Sequence, residues 1–271
     1  NDPNEVWALK DISFELRRGE FLGIAGHTGS GKSTLLQHMN GLLQPSRGRV
    51  LVGGKDLADK KAAAAAKARI GIVFQYPERQ LFATTVFDDV AFGPRNLGLS
   101  GDEVETRVRE SLSRVGLSID SLRDMSPFEL SGGQQRRVAF AGVLAMNPEA
   151  LVLDEPVAGL DPVARREFLE LIAQLHKQGT TIVMVSHSMD DLAAMCDRVV
   201  VLKEGEIVRQ GTPAHVFMHA AKLNEIGLGL PAPQRMAYAL IDAGAPLSAD
   251  ELYSIDSLAA EIVSIAEGGA R

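Results

Sequence analysis

The chain has 271 residues, enough for one substantial core with an appendage or for two small cores. Hydrophobic residues at 45% and charged residues at 23% are ordinary for a soluble globular protein. A formal charge of −7 argues against nucleic acid as the main partner, because duplex binding leans on Lys and Arg, although it leaves room for a local basic patch. The single cysteine, Cys196, excludes an internal disulfide and suits a reducing cytosol. The longest apolar run, VAFAGVLAM at 138–146, is about half of the 18 or more residues a membrane helix needs. No signal peptide is in view. The chain opens at Asn1 without methionine, so further residues are expected upstream.

Along the chain, Ile12, Phe14 and Leu16 alternate with polar residues before RRGE turns into FLGIAG, which predicts a hairpin leading into a buried strand. A helix is expected from Lys32, carrying Leu35, Leu36 and Met39. RVLVGG and IGIVFQ read as short strands, and the alanine tract at 62–66 with its flanking lysines as a solvated helix. From about Glu78 to Asn147 helical periods dominate, as in SGDEVETRVRESLSRVGL. Strand character returns with ALVLD at 150–154. Asp161 is placed to cap a helix whose first position is Pro162 and whose stop is Gly179. TTIVMVSH is another buried strand, and RVVVLKEGEIVRQG a hairpin around Glu204-Gly205. Strand–helix alternation interrupted by a helical block predicts an α/β core, residues 1–77 and 148–224, with an antiparallel β part and an inserted helical subdomain at 78–147. LPAPQRMAYALIDAG and DSLAAEIVSIAEGG read as two helices of a C-terminal extension, 225–271.

GHTGSGKS, Gly26 to Ser33, fits the phosphate-loop pattern GxxxxGK[ST] without a gap, with a strand before it and a helix after it. Gly26, His27, Thr28, Gly29, Ser30, Gly31, Lys32, Ser33 and Thr34 form the candidate nucleotide cradle. Its backbone N–H groups would turn inward on the phosphates, Lys32 would reach the β and γ oxygens, and Ser33 would ligate Mg²⁺. ALVLDEP supplies Asp154 at a strand end, suited to hold Mg²⁺, and Glu155, placed to orient or deprotonate a water. A carboxylate pair that merely caps a strand end is the alternative reading of that motif. Gln75, closing IGIVFQ, is a candidate contact for metal or water, and His187 follows TTIVMVS at another strand's carboxyl end, where open α/β sheets place ligands. A lone Gln or His is weak evidence; these gain weight from sharing the same kind of strand end. In ELSGGQQRRVAF, Ser131, Gly132, Gly133 and Gln134 open a helix in an arrangement suited to a second phosphate.

With GHTGSGKS, Gln75, LSGGQ, LVLDEP, AGLD and His187 in this order, the chain resembles the ATPase subunits of ABC transporters over about residues 8–212. The resemblance implies an α/β phosphate-loop NTPase core, ABC-type and RecA-like, with an inserted helical subdomain and a short helical C-terminal extension. It implies ATP and Mg²⁺ as cofactors, and a head-to-tail dimer in which Ser131, Gly132 and Gly133 close on the γ-phosphate held by the other subunit. Asp161 would both cap its helix and communicate across that dimer. The family also stacks adenine on an aromatic residue upstream of the phosphate loop. Here that aromatic is either Trp7, which could instead pack under the sheet, or a residue upstream of Asn1.

VFQYPERQLFATTVFDDVAFGPRNLGL and LGLPAPQRMAYALIDAG resemble the energy-coupling-factor importers more narrowly, and LDEPVAGLDP matches the catalytic type of ATPase in that group, with Val157 in place of threonine. The implied partners are a second ATPase, paralogue or self, and a transmembrane scaffold whose coupling helices would bind near Gln80 to Arg95. A small membrane substrate-binding protein would be an indirect partner. The implied place is the cytoplasmic face of the membrane, peripherally bound. Asp88 and Asp89 are candidate partners for scaffold arginines, or simply an acidic helix start. The alternatives are an ATPase of another ABC transporter class, a soluble ABC ATPase of DNA repair or translation, and a nucleotide-binding module without turnover. The second would bring coiled coils, a tandem ATPase domain or basic patches, which the sequence lacks. Glu155 argues against the third.

Overall fold

In the computed structural model, residues 7–218, 223, 228–248 and 252–268 are described. In chain order come β1 (Phe21–Gly26), α1 (Lys32–Met39), β2 (Leu51–Val52), β3 (Lys55–Asp56), α2 (Lys60–Arg69) and β4 (Ile70–Val73). A helical stretch follows with α3 (Val86–Asn96), α4 (Gly101–Arg114), α5 (Ile119–Leu122) and α6 (Gly132–Ala145), and with single 3-10 turns at Pro77–Gln80 and Pro127–Glu129. Then come β5 (Ala150–Asp154), α7 (Pro162–Lys177), β6 (Thr181–Val185), α8 (Met189–Met195), β7 (Arg198–Lys203), β8 (Glu206–Gly211) and α9 (Pro213–Phe217). The last described elements are α10 (Ala232–Asp242) and α11 (Ile255–Gly268). The chain divides into two units, Asn1–Thr34 with Met184–Arg271, and Leu35–Val183.

In the first unit β1 is buried at every position, as an unbroken apolar run in a parallel sheet should be. It pairs in parallel with β7, from Leu22 opposite Arg198 to Gly26 opposite Leu202. Removing Phe21, Leu22 and Ile24 wholly from water contributes roughly 1.5–3 kcal/mol each. β7 and β8 form the expected antiparallel hairpin, closed by Glu204 (φ 50°) and Gly205 (φ 81°), the two left-handed residues of a type I′ turn. The hairpin expected ahead of β1 does not form. Residues 11–17 alternate between exposed and half-buried as a strand would, but belong to no strand. They are held instead by Arg198, which pairs with Glu20 (Nε–Oε1 2.7 Å) and donates to the Glu15 carbonyl. α10 and α11 pack on each other through Ala237, Leu252 and Leu258, flanked by Tyr238, Ile241 and Leu247.

In the second unit β4 and β5 pair in parallel, Ile70 opposite Ala150 through Val73 opposite Leu153. A two-pronged Arg69–Glu149 ion pair (2.8 and 2.9 Å) ties their starts together. α2 is not solvated all round, as the sequence had suggested. Ala63 and Ala66 are buried with Leu57, and Val50, Val52 and Ala62 pack against that cluster. Between β4 and β5 the chain is helical. α3, α4 and α6 pack together through stripes at helical spacing: Val86 and Val90, Val104 and Val108, Phe140 and Leu144. A side chain at Gly93 of α3 would meet Met146 Cγ at 2.6 Å. α7 starts and stops where its signals predict: Asp161 accepts from Val163 and Ala164 N–H (2.9 and 3.0 Å), Pro162 is the first helical residue, and Gly179 (φ 92°) follows its end.

Candidate functional site

The candidate residues lie in both units, and each unit is described by itself. In the first unit β1 delivers the chain into the loop Gly26–Thr34. A side chain at Gly26 would strike Ser30 Oγ at 2.5 Å and Leu202 O at 2.6 Å, so only glycine lets the loop leave the sheet here. Gly31 (φ 98°) is equally constrained: a Cβ there would stand 2.6 Å from Ala8 O. The loop turns on a Ser30 N–H to His27 O bond of 3.1 Å and is braced by Gly205 N–H on Ser30 O, also 3.1 Å. Lys32 is 7% exposed, its ammonium donating to Gly26 O and His27 O at 2.7 Å each. His27, Thr28, Gly29 and Ser33 are exposed, and Lys32, Ser33 and Thr34 form the first turn of α1. Ser30 Oγ is buried without a hydrogen-bond partner among the described residues.

Two further candidate residues lie in this unit. Ser186 donates to Ile24 O (3.4 Å), so His187, exposed, leaves the sheet at the strand end from which the loop departs. Trp7 is 37% exposed and directly precedes Ala8, the residue lying against Gly31.

In the second unit Gln75 and the Asp154–Glu155 pair emerge from the same end of the paired strands β4 and β5. Glu155 has φ 52° and Tyr76 φ 57°, left-handed conformations that cost a non-glycine residue about 1–3 kcal/mol and persist only where neighbours enforce them. Ala158 N–H closes the Glu155 turn on the Glu155 carbonyl at 3.1 Å. The Tyr76 ring approaches Gly159, where a Cβ would stand 3.2 Å from Cε1. Asp154 and Glu155 are half-buried, and Gln75 is exposed.

Ser131 caps α6. Its hydroxyl accepts from Gln134 N–H (3.3 Å) and donates to Gln134 Oε1 (3.1 Å), and that same oxygen accepts from Ser131 N–H (3.1 Å). Gln134 is thus engaged in the cap. Among the described residues nothing lies within 4 Å of where a Cβ would stand on Gly132 or Gly133, so the first turn of α6 presents open backbone.

Asp88 and Asp89 are both engaged by residues of α3 or of the segment leading into it. Asp88 accepts from the Thr85 hydroxyl (2.8 Å) and pairs with Arg95 (2.9 Å), contacts that hold its carboxyl below the ordinary range. Asp89 accepts from Phe82 and Ala83 N–H, both at 2.9 Å. Beside them Phe82 and Phe92 stand exposed, edge to face at 4.9 Å. Arg79 lies over the Tyr76 ring at 4.6 Å, and Gln80 is exposed.

One residue escaped the sequence reading. Arg136, 3% exposed, grips Glu78 with two bonds of 3.0 Å and donates to Pro156 O (3.3 Å) and Ala158 O (2.9 Å). Its only signal was a charge in register with the apolar stripe through Phe140 and Leu144. Burial would raise the Glu78 pKa, but the Arg136 bond, its own backbone N–H and nearby positive charge outweigh it and bring the carboxyl below its usual value.

Among the described residues no helix is long and apolar enough to cross a membrane. The chain matches the ABC transporter family over residues 9–158. It is 54% identical over 254 residues to the energy-coupling factor transporter ATP-binding protein EcfA2 of Symbiobacterium thermophilum, covering 93% of this chain and 88% of that one. The protein of the same name in Bacillus subtilis is 46% identical, covering 98% of each chain. Among solved structures, cbiO1 of Clostridium perfringens, part of the ABC transporter complex cbiONQ, superimposes with a TM-score of 0.74 at 40% identity, over 89% of this chain and 95% of that one. A dimeric post-hydrolysis state of the ATP-binding cassette MJ0796, bound to ADP and Pi, gives 0.68 at 31% identity, over 79% and 94%. With an α/β cassette fold, a phosphate loop and a family match over more than half its length, the chain belongs to the ABC transporter family as one of its ATPases.

Proposed function

We infer that this chain is the ATP-hydrolysing subunit of an importer of the energy-coupling-factor type, which takes up a vitamin or transition-metal ion through ATP-driven closure of a subunit pair. The observation that carries the hydrolytic reading is Glu155, held in left-handed backbone one residue beyond β5, next to the strand end that bears Gln75. A module that binds ATP without turnover has no use for a carboxylate kept in so costly a conformation.

Gly26 to Thr34 would wrap the phosphates of this chain's own ATP, with loop N–H groups and the Lys32 ammonium facing the β and γ oxygens. Glu155 would accept a proton from, or orient, the attacking water, and His187 would hold the γ-phosphate. Ser33, Gln75 and Asp154 would hold Mg²⁺; each offers a side-chain oxygen, the donor type this ion takes alongside substrate phosphates. When bound, it would neutralise charge on the β and γ oxygens.

Ser131, Gly132, Gly133 and Gln134 would serve the partner's nucleotide. The supporting observation is the open first turn of α6, where helix-start N–H groups favour an anion. Asp161, capping α7, would face the partner as well. We assign residues 78–147 as the helical subdomain within the core 1–77 and 148–224, and 225–271 as an extension. A transmembrane scaffold would dock near Gln80–Arg95, where Phe82 and Phe92 are exposed, from the cytoplasmic face of the membrane. The internal bonds of Asp88 and Asp89 favour the aromatic pair over these acids as the contact.

Replacing Glu155 by Gln should lower turnover by a factor on the order of 10²–10⁴ while ATP still binds. Replacing Lys32 by Ala should weaken ATP binding itself. Radiolabelled ATP hydrolysis and equilibrium binding on the two purified variants read both effects. Normal hydrolysis by Glu155→Gln would remove Glu155 from the chemistry, and unchanged affinity in Lys32→Ala would remove the lysine from the cradle.

A further inference from the structure

Arg136 is the only charged side chain buried among the described residues of the second unit. A buried guanidinium is costly unless nearly all its N–H groups are matched. Here the Glu78 carboxylate and the carbonyls of Pro156 and Ala158 match it on three sides. What those partners belong to gives the arrangement its meaning. Glu78 sits three residues beyond Gln75, Pro156 and Ala158 follow Glu155, and Arg136 lies in the second turn of the helix that Ser131 caps. One side chain therefore ties together the turn after Gln75, the turn after Glu155 and the start of α6, the three segments to which the proposed function gives the metal, the water and the partner's nucleotide. Two of the joined turns contain the left-handed residues Tyr76 and Glu155, which need such enforcement. The Tyr76 ring, 6.0 Å from the guanidinium and against Gly159, closes the same cluster.

We propose that Arg136, with Glu78, is a positioning residue for hydrolysis: the pair locks the Gln75 turn, the Glu155 turn and the start of α6 into one body, so that closing on ATP brings all three into place together. The proposal rests on the hydrolytic reading above. The phosphate loop lies in the other unit, so breaking the lock should spare ATP affinity and slow turnover, because a displacement near 1 Å costs a reaction about a hundredfold.

The test compares full-length wild type, Arg136→Lys, Glu78→Gln and the double variant. Lysine keeps the charge but cannot fork across a carboxylate and two carbonyls, and glutamine keeps the shape without the charge. ATP affinity is measured by equilibrium binding, and turnover is counted per ATP-binding site, so that unfolded protein drops out. The expected result is affinity within about twofold of wild type, turnover lower by about tenfold or more in each single variant, and a double variant no slower than the slower single one. Normal turnover per site in both single variants, a loss of affinity that matches the loss of turnover, or losses that multiply in the double variant would each overturn the proposal. Glu155→Gln run in parallel separates the two levels. If wild type turns over, Glu155→Gln does not and Arg136→Lys is normal, only the lock is wrong; if Glu155→Gln is normal, the hydrolytic reading fails and takes the lock with it.

Discussion

Glu20 shows how single residues set the pH response of this chain. Burial alone would raise its pKa, but the Arg198 guanidinium and the Arg17 N–H (2.8 Å) outweigh burial and bring the carboxyl below its ordinary value. Glu78 is lowered in the same way by Arg136. Because both folded carboxyls titrate below the unfolded value of about 4.3, their contribution is complete above that pH and is lost as pH falls through the folded values. Urea unfolding from about pH 7 down to about pH 3 should therefore show a steep acid limb, flattened in Glu20→Gln, which should also be less stable at neutral pH. Parallel acid limbs in the two proteins would show that Glu20 is not held as described. Neither pairing was legible in the sequence. Glu20 and Arg198 are 178 positions apart, and Glu78 and Arg136 are 58 apart. A charge aligned with an apolar stripe says that a partner is needed, but not which one. The phosphate loop, Asp154–Glu155 and the α6 cap were legible, because each is a contiguous run whose spacing states its own geometry.

Elements whose signals are local formed as the sequence implied. The β7–β8 hairpin followed from Glu204-Gly205 between two apolar runs, and α7 from Asp161, Pro162 and Gly179. The strand expected at residues 12–16 failed because β1 pairs with β7 in parallel, a long-range choice that no local pattern encodes. The hairpin turn also permits a direct test. Glu204 stands at φ 50°, where asparagine is at home and glutamate is not, and an Asn-Gly pair is the preferred type I′ sequence. Glu204→Asn should stabilise the protein by about 0.5–1 kcal/mol, read as a shift in urea midpoint at unchanged slope. A destabilised variant would mean that the Glu204 side chain contributes more than its backbone costs.

At the scale of the whole molecule, we infer that ATP turnover by this chain is harnessed to a membrane partner. Among the described residues the Phe82–Phe92 pair is exposed and the start of α6 is open, and both lie in the second unit, with Glu155. A pull-down of the tagged chain from solubilised membranes, with the co-purifying proteins identified by mass spectrometry and ATP hydrolysis assayed on the same sample, decides whether that coupling exists. A transmembrane scaffold, a second ATPase and a small membrane protein, recovered together in an ATP-hydrolysing assembly, are the expected result. Recovery of only soluble partners, or of none, from a sample that still hydrolyses ATP would contradict the importer and leave an ATPase with another task.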